Sequence, residues 1–190
     1  MALIFVTGNR HKFEEVSEIA AEHGLKLEMR DLPCKEIQAD ELEEIARQSA
    51  VDACSSLGKP CFVEDAGLFV HALRGFPGPY SSYVFRTIGN DGLLKLMESI
   101  GDRRAEFRSA VGYCEPGSKP SVFRGRVKGS IGFEARGSKG FGFDPIFSPD
   151  KGDSRTFAEM TITEKNELSH RAQAIKRFLK YYAQRKKAHR

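Results

Sequence analysis

The stretch Leu3-Ile4-Phe5-Val6-Thr7-Gly8-Asn9-Arg10-His11-Lys12 runs from four consecutive apolar residues into a polar turn and then into a helical pattern. An apolar run bounded by Thr-Gly-Asn reads as a strand buried on both faces. Phe13, Val16, Ile19 and Ala20 follow at helical spacing from about Arg10 to His23, and Gly24 can stop that helix. A buried strand feeding a helix through a tight turn is the opening of an α/β fold.

The pattern extends outward from there. Leu25–Met29 reads as a second strand. Asp40 is a candidate N-cap, with Glu43 three residues on, for a helix carrying Leu42, Ile45, Ala46, Ala50, Ala53 and Leu57 to Gly58. Cys61-Phe62-Val63 predicts another buried strand, ending at Glu64-Asp65. Gly75-Phe76-Pro77-Gly78-Pro79 predicts a rigid loop, and Asp91–Ile100 a short helix closed by Gly101. Residues 105–114 and 122–133 predict a hairpin around Pro116-Gly117, with Phe123, Val127, Ile131 and Phe133 inward and Arg124, Arg126 and Lys128 outward. The Gly-rich residues 137–152 suit a loop, and a final helix spans about Ser169 to Arg185. Regular βαβ repetition is absent. The prediction is therefore a mixed α/β sheet with helices packed on it.

Composition sets the limits. A chain of 190 residues predicts one domain. Apolar residues at 40% and charged residues at 29% exclude global disorder, a collagen-like fibre and a coiled-coil rod. The apolar runs are too short to span a bilayer. The start of the chain shows no secretory pattern. Cys34, Cys54, Cys61 and Cys114 form no CxxC pair, so reduced thiols and a cytoplasmic location are expected. The net charge of +4 is unevenly placed: eight Lys and Arg lie in residues 171–190, which carry no acid. The rest of the chain sets 22 basic against 26 acidic residues. A basic helix face explains this better than a nucleic-acid surface, which spreads over the folded body.

Four constellations bear chemistry. Thr7 to Lys12 sits between strand and helix, where unpaired N–H groups and the helix dipole favour a phosphate, although a turn capped by Asn9 also fits. Glu64-Asp65, with Glu36 as a partner from a non-helical stretch, offers carboxylates for Mg²⁺ and substrate phosphates, although most such residues are solvent-facing. Gly140-Phe141-Gly142-Phe143-Asp144-Pro145 places aromatics where a base could stack, or where they fold into the core. Lys165, Ser169, His170 and Arg171 gather donors at the start of the last helix, with Ser169 a natural N-cap.

Taken in order, Thr7-Gly8-Asn9-x-x-Lys12, Glu64-Asp65-Ala66-Gly67-Leu68, Gly75-Phe76-Pro77-Gly78-Pro79-Tyr80, Phe141-Gly142-Phe143-Asp144-Pro145-Ile146-Phe147 and Lys165-x-x-x-Ser169-His170-Arg171 resemble the inosine/xanthosine triphosphate pyrophosphatase family, the Ham1-like enzymes. The likeness runs from residue 3 to about residue 180. It implies an elongated mixed β-sheet flanked by helices, two lobes with a central nucleotide-binding cleft, and a homodimer. It implies a single pyrophosphatase domain over residues 1–185 and a basic tail at 186–190. The implied activity is Mg²⁺-dependent hydrolysis of ITP, dITP and XTP to monophosphate and pyrophosphate, which clears deaminated purines from the nucleotide pool. No stable nucleic-acid or membrane partner is implied.

Carried onto this chain, the triphosphate motif falls on Thr7, Gly8, Asn9, Arg10, His11 and Lys12. The metal carboxylates fall on Glu36 and Asp65. Asp65 is also the implied base for the attacking water, with Ala66 beside it in the substrate site. The nucleotide loop falls on Phe141, Gly142, Phe143 and Asp144, with Phe141 the stacking ring. Lys165, His170 and Arg171 fall on residues that contact phosphate and base edge. Two lysine or arginine positions of the family are Ser49 and Ser82 here, with Arg47 and Arg86 as candidate substitutes. A Maf-like pyrophosphatase, which shares the general architecture, is the competing enzyme class.

Overall fold

A computed structural model describes residues 2–33 and 37–188. Strand β1 (Leu3–Val6) leads to helix α1 (Arg10–Glu22), strand β2 (Leu27–Arg30) and helix α2 (Leu42–Leu57). Strand β3 (Cys61–Val70) and the short β4 (Pro77–Gly78) precede helices α3 (Ser81–Thr87) and α4 (Gly89–Leu96). Strands β5 (Arg104–Cys114), β6 (Ser121–Ile131) and β7 (Phe147–Pro149) are followed by helices α5 (Ile162–Leu168) and α6 (His170–Ala188). Among the described residues the strands form one seven-stranded sheet ordered β2-β1-β3-β5-β6-β7, with β4 also on β3. The β2, β1 and β3 pairings are parallel and the rest antiparallel. The expected mixed sheet is what the chain builds.

Local chemistry explains most boundaries. The Asn9 side chain accepts the Lys12 N–H at 3.1 Å and starts α1. Gly58, at φ +60°, ends α2 in the left-handed conformation. The predicted Asp40 cap is displaced by one residue: Glu41 holds the N-cap position, and its side chain makes no cap hydrogen bond.

Three further expectations need correction. β3 does not end at Glu64-Asp65 but continues to Val70, because β5 pairs with it along all ten residues. The 137–152 segment is not wholly loop, since Phe147–Pro149 pairs with the end of β6. Phe133 lies past the end of β6 and is 86% exposed, with the Arg103 guanidinium 4.7 Å from its ring centre.

Two cores are strung along the same long strands. At the β1 end, α1 and α6 cover one face with Phe5, Val16, Ile19, Phe62, Val111 and Phe178. There α2 covers the other face with Ala46, Ala50, Cys61 and Val63. At the far end of β3, β5 and β6, a second core forms around Leu68, Leu93, Phe107, Ile131, Phe147 and Phe157. Glu64, Asp65 and Ala66 fall on β3 between them. Gly125 on β6 brings α6 onto the sheet: a Cβ there would lie 2.0 Å from the His170 carbonyl oxygen. Among the described residues no helix is long and apolar enough to cross a membrane.

Candidate active site

The site lies where the sheet has a gap. β5 occupies one edge of β3 throughout. On the other edge β1 pairs only as far as Phe62, and β4 resumes at Leu68. Between them, Val63 to Gly67 pair with no strand on that edge among the described residues. Side chains take up backbone groups at the two ends of the gap. Lys12 Nζ donates to the Glu64 carbonyl at 2.9 Å, and the Leu68 N–H donates to Ser81 Oγ at 2.8 Å. Ser81, in turn, donates to the Gly78 carbonyl at 2.7 Å. A strand edge with backbone groups turned toward a helix N-terminus is suited to a polar ligand.

Glu64 and Asp65 are neighbours with different surroundings. Successive strand residues face opposite sides of the sheet. Glu64 is buried and faces α1 and α6, with Lys12 Nζ 3.0 Å from Oε2, Arg171 Nε 3.2 Å from Oε1 and Ser109 Oγ donating to Oε1 at 2.6 Å. Burial alone would raise its pKa, but Arg171, Lys12 and the Ser109 hydroxyl overcome this and hold it well below the usual carboxylate range. Asp65 is half-buried on the other side.

Beneath Glu64 is an alternating charge network. Arg171 Nη1 donates to Glu15 Oε2 at 2.5 Å, and Lys165 Nζ donates to Glu15 Oε1 at 2.7 Å and to Asp144 Oδ2 at 2.6 Å. Glu15, Asp144, Lys165 and Arg171 are each no more than 3% exposed. With Lys12 and Glu64 the network holds three acids and three bases. Its two flanking carboxylates respond differently. Burial works against Glu15, yet Arg171 and Lys165 together lower its pKa. Asp144 shares Lys165 with Glu15 and faces that negative charge, so burial dominates and its pKa is raised. Arg171 is held more firmly protonated, since Glu64 and Glu15 outweigh its own burial.

The network positions the aromatic loop. Asp144 Oδ2 accepts the Phe141 N–H at 2.8 Å. Gly140, at φ +70°, lets the loop turn tightly there: a Cβ would lie 2.2 Å from Asp144 Oδ2. Lys165 Nζ and the Arg171 guanidinium lie 5.1 and 5.2 Å from the Phe141 ring centre. The His11 imidazole stacks on that ring at 5.5 Å, with planes 14° apart. Phe143 instead turns into the far core, edge-on to Phe85 at 5.5 Å, so only its backbone remains for a ligand. Asn90 Nδ2 donates to the Gly142 carbonyl at 3.2 Å and ties α4 to the loop.

His170 is 2% exposed and stacks on Phe107 at 4.7 Å and 10°. Among the described residues its Nδ1 has no hydrogen-bond partner. Burial, reinforced by Arg171, lowers its pKa well below 6.5, so the ring is neutral at pH 7. The unfolded chain then binds a proton that the folded chain refuses, and stability falls as pH drops below about 6.5. Glu15 and Glu64 act in the same direction below their unfolded values, while Asp144 acts in the opposite one. His170→Phe should remove a slope that approaches about 1.4 kcal/mol per pH unit roughly one unit below pH 6.5. Urea unfolding at pH 5.5 and 7.0 checks this; the same pH dependence in both proteins would rule His170 out as its source.

The sequence-derived candidates thus divide. Lys12, Phe141, Asp144, Lys165 and Arg171 come together with His11 near the gap. Thr7 Oγ1 accepts the Asn9 N–H at 3.1 Å within the turn. Arg10 is turned to Glu14 at 3.2 Å on the surface. Gly8 has the Asp31 carboxylate against its open side, 2.9 Å from where a Cβ would stand. Glu36 lies outside the described residues. Ser169 starts α6, as expected, by accepting the Ala172 N–H at 3.1 Å, but α5 precedes it as a separate helix capped by Thr161. Ser49 is buried on α2, and Arg47 lies on that helix's opposite, exposed side, so it does not stand in for a lysine at position 49. Sequence reasoning missed Glu15, Ser81 and Ser109. Glu15 had one available signal, an acid between the apolar positions Phe13 and Val16 of α1.

The Ham1 family profile matches residues 3–181. The chain belongs to the Ham1 family. A relative from Methanopyrus kandleri named dITP/XTP pyrophosphatase is 52% identical over 182 residues, covering 96% of both chains. One of the same name from Methanothermobacter marburgensis is 53% identical over 184 residues, covering 97% of both. The solved HAM1 protein from Coxiella burnetii is 29% identical with a TM-score of 0.84, over 97% of this chain and all 100% of that one. The Staphylococcus aureus Ham1 protein is 28% identical with a TM-score of 0.80, over 96% and 98%. In this Ham1 chain, α6 runs on to Ala188, so the basic tail expected from residue 186 begins as helix. Lys176 donates to the Asn166 carbonyl at 3.3 Å, and Arg185 pairs with Glu115 at 2.8 Å. Basic residues in the last turn also complement the helix dipole. Cys54, Cys61 and Cys114 are buried and lie in no disulfide among the described residues.

Proposed function

We propose that the protein hydrolyses ITP, dITP and XTP to the nucleoside monophosphate and pyrophosphate. The observation that carries this reading is the gap in β3. Asp65 stands there, next along the strand to Glu64, whose carbonyl and carboxylate Lys12 of α1 contacts, within a chain about half identical to proteins named dITP/XTP pyrophosphatase. Water attacks the α-phosphorus, Asp65 takes its proton, and the bond to the bridging oxygen breaks to release pyrophosphate. Lys12 and the backbone amides near Gly8 neutralise the departing charge. Lys165, His170 and Arg171 form the polar wall of the base site. Donors there favour a 6-oxo purine over adenine, whose amine would leave buried N–H groups unpaired.

Asp65 and Glu36 are the residues that would hold Mg²⁺. Hard carboxylate oxygens, one or two from protein with the rest from substrate phosphate, are what that ion takes, and Asp65 at an open polar gap fits. The ion would supply charge neutralisation on the phosphate oxygens. The reading also includes a cytoplasmic homodimer. Tyr80, Tyr83, Ile88 and Leu96, all more than 40% exposed on and beside α3 and α4, supply apolar surface for one.

The test is a product assay with MgCl₂ on dITP, XTP, dGTP, dATP and dTTP, resolved by ion exchange. Monophosphate and pyrophosphate from dITP and XTP, with little from the others, is the expected result. Diphosphate and orthophosphate would overturn the assigned bond. Preference for pyrimidine or modified nucleotides would favour the Maf-like class.

A further inference from the structure

We propose that His11 is a second aromatic wall of the base site, so that the purine lies between the His11 imidazole and the Phe141 ring. This rests on the nucleotide-hydrolase reading above and assigns His11 to the base rather than to the triphosphate. The two rings already stack, their centres 5.5 Å apart and their planes 14° from parallel. They differ in how they are held. Phe141 is fixed from behind: its N–H is bonded to Asp144, Asp144 to Lys165, and the next carbonyl, that of Gly142, to Asn90. His11 stands in the first turn of α1 with its side chain 60% exposed. The Glu14 carboxylate lies 4.0 Å from its Nδ1. One wall is rigid and the other is free to rotate about its side-chain torsions.

A flat base between two rings needs about 7 Å between them, two contacts of about 3.5 Å each. The exposed imidazole would swing outward to provide it, while the buried network keeps Phe141 in place. Without nucleotide, the imidazole covers the apolar face of Phe141. With nucleotide, it would cover the far face of the base. His11 is one residue before Lys12, whose ammonium lies at the gap, so one helical turn would align base and phosphates together. Stacking tolerates any base, so this wall supplies affinity and leaves discrimination to the polar groups at the base edge.

The test compares wild type, His11→Ala and His11→Phe by inhibition constants for two products, dIMP and inorganic pyrophosphate, with dITP as substrate. Loss of one stacking partner should weaken dIMP about 10-fold in His11→Ala, and His11→Phe should retain wild-type affinity for dIMP. Pyrophosphate, which has no base, should bind all three proteins equally. Weakening of pyrophosphate and dIMP alike in His11→Ala would make His11 a phosphate contact and overturn the proposal. Unchanged or tighter dIMP binding would overturn it too, the latter showing the imidazole to be a competitor for the stacking face. If wild type does not hydrolyse dITP, the nucleotide-hydrolase reading fails, and this inference with it.

Discussion

Replacing Glu15 with glutamine should destabilise the protein by about 3–5 kcal/mol, the usual cost of removing one partner from a buried ion pair. For a chain of this size that lowers the melting temperature by about 10 °C. Glu15 is the carboxylate that both Lys165 and Arg171 contact, so its loss leaves two buried cations short of charge. Asp144 provides partial compensation. It already shares Lys165, and removing the neighbouring negative charge makes its own ionised form easier to hold. Lys165→Met added to Glu15→Gln should therefore cost less than the two single changes summed, since the pair disappears together. Thermal unfolding at pH 7 measures all three. A Glu15→Gln protein melting within 2 °C of wild type, on the scale of a surface substitution of about 0.5 kcal/mol, would show that the network contributes little to the fold.

Asp65→Asn should lower kcat on dITP by about 100-fold or more, the scale of a general-base contribution. It should lower the melting temperature less than Glu64→Gln does. Glu64→Gln, one residue away, should do the reverse in emphasis and unfold the protein more readily. Glu64 is buried under Lys12, Arg171 and Ser109, whereas Asp65 lies on the opposite side of the strand and is half-buried. Steady-state rates and thermal melts on both variants separate the roles. Near-wild-type turnover in Asp65→Asn would remove Asp65 from the reaction.

Several elements were legible in the residues because their causes are local. The Leu3–Val6 run, the Asn9 cap, the left-handed stop at Gly58 and the hairpin of β5 and β6 each follow from hydrophobic period or turn chemistry within a few residues. The candidate residues Lys12, Asp65, Phe141, Lys165 and Arg171 were legible because several motifs occur in one order, although no single motif would have sufficed. The misreadings have a common source. Glu64-Asp65 looked like a strand end because carboxylates interrupt an apolar run. β3 passes through them because β5 supplies hydrogen bonds along its whole length and Lys12, Arg171 and Ser109 neutralise the buried acid. Phe133 looked like a core residue because the alternation of β6 was carried two residues past the strand's end.

By itself, then, the order of residues determined the α/β class, the positions of most helices and strands, and the set of polar side chains from which the candidate site is drawn. The tertiary structure alone decided which of those side chains meet. Glu15 and Lys165 are 150 positions apart and pair at 2.7 Å, and Arg171 reaches both Glu15 and Glu64. An acid on an amphipathic helix is ordinarily solvated, and its place between Phe13 and Val16 is the one local sign otherwise. Its burial depends on α6 docking beside α1, where cations from the far end of the chain offset the loss of water around the carboxylate. The same docking brings Phe141 against His11.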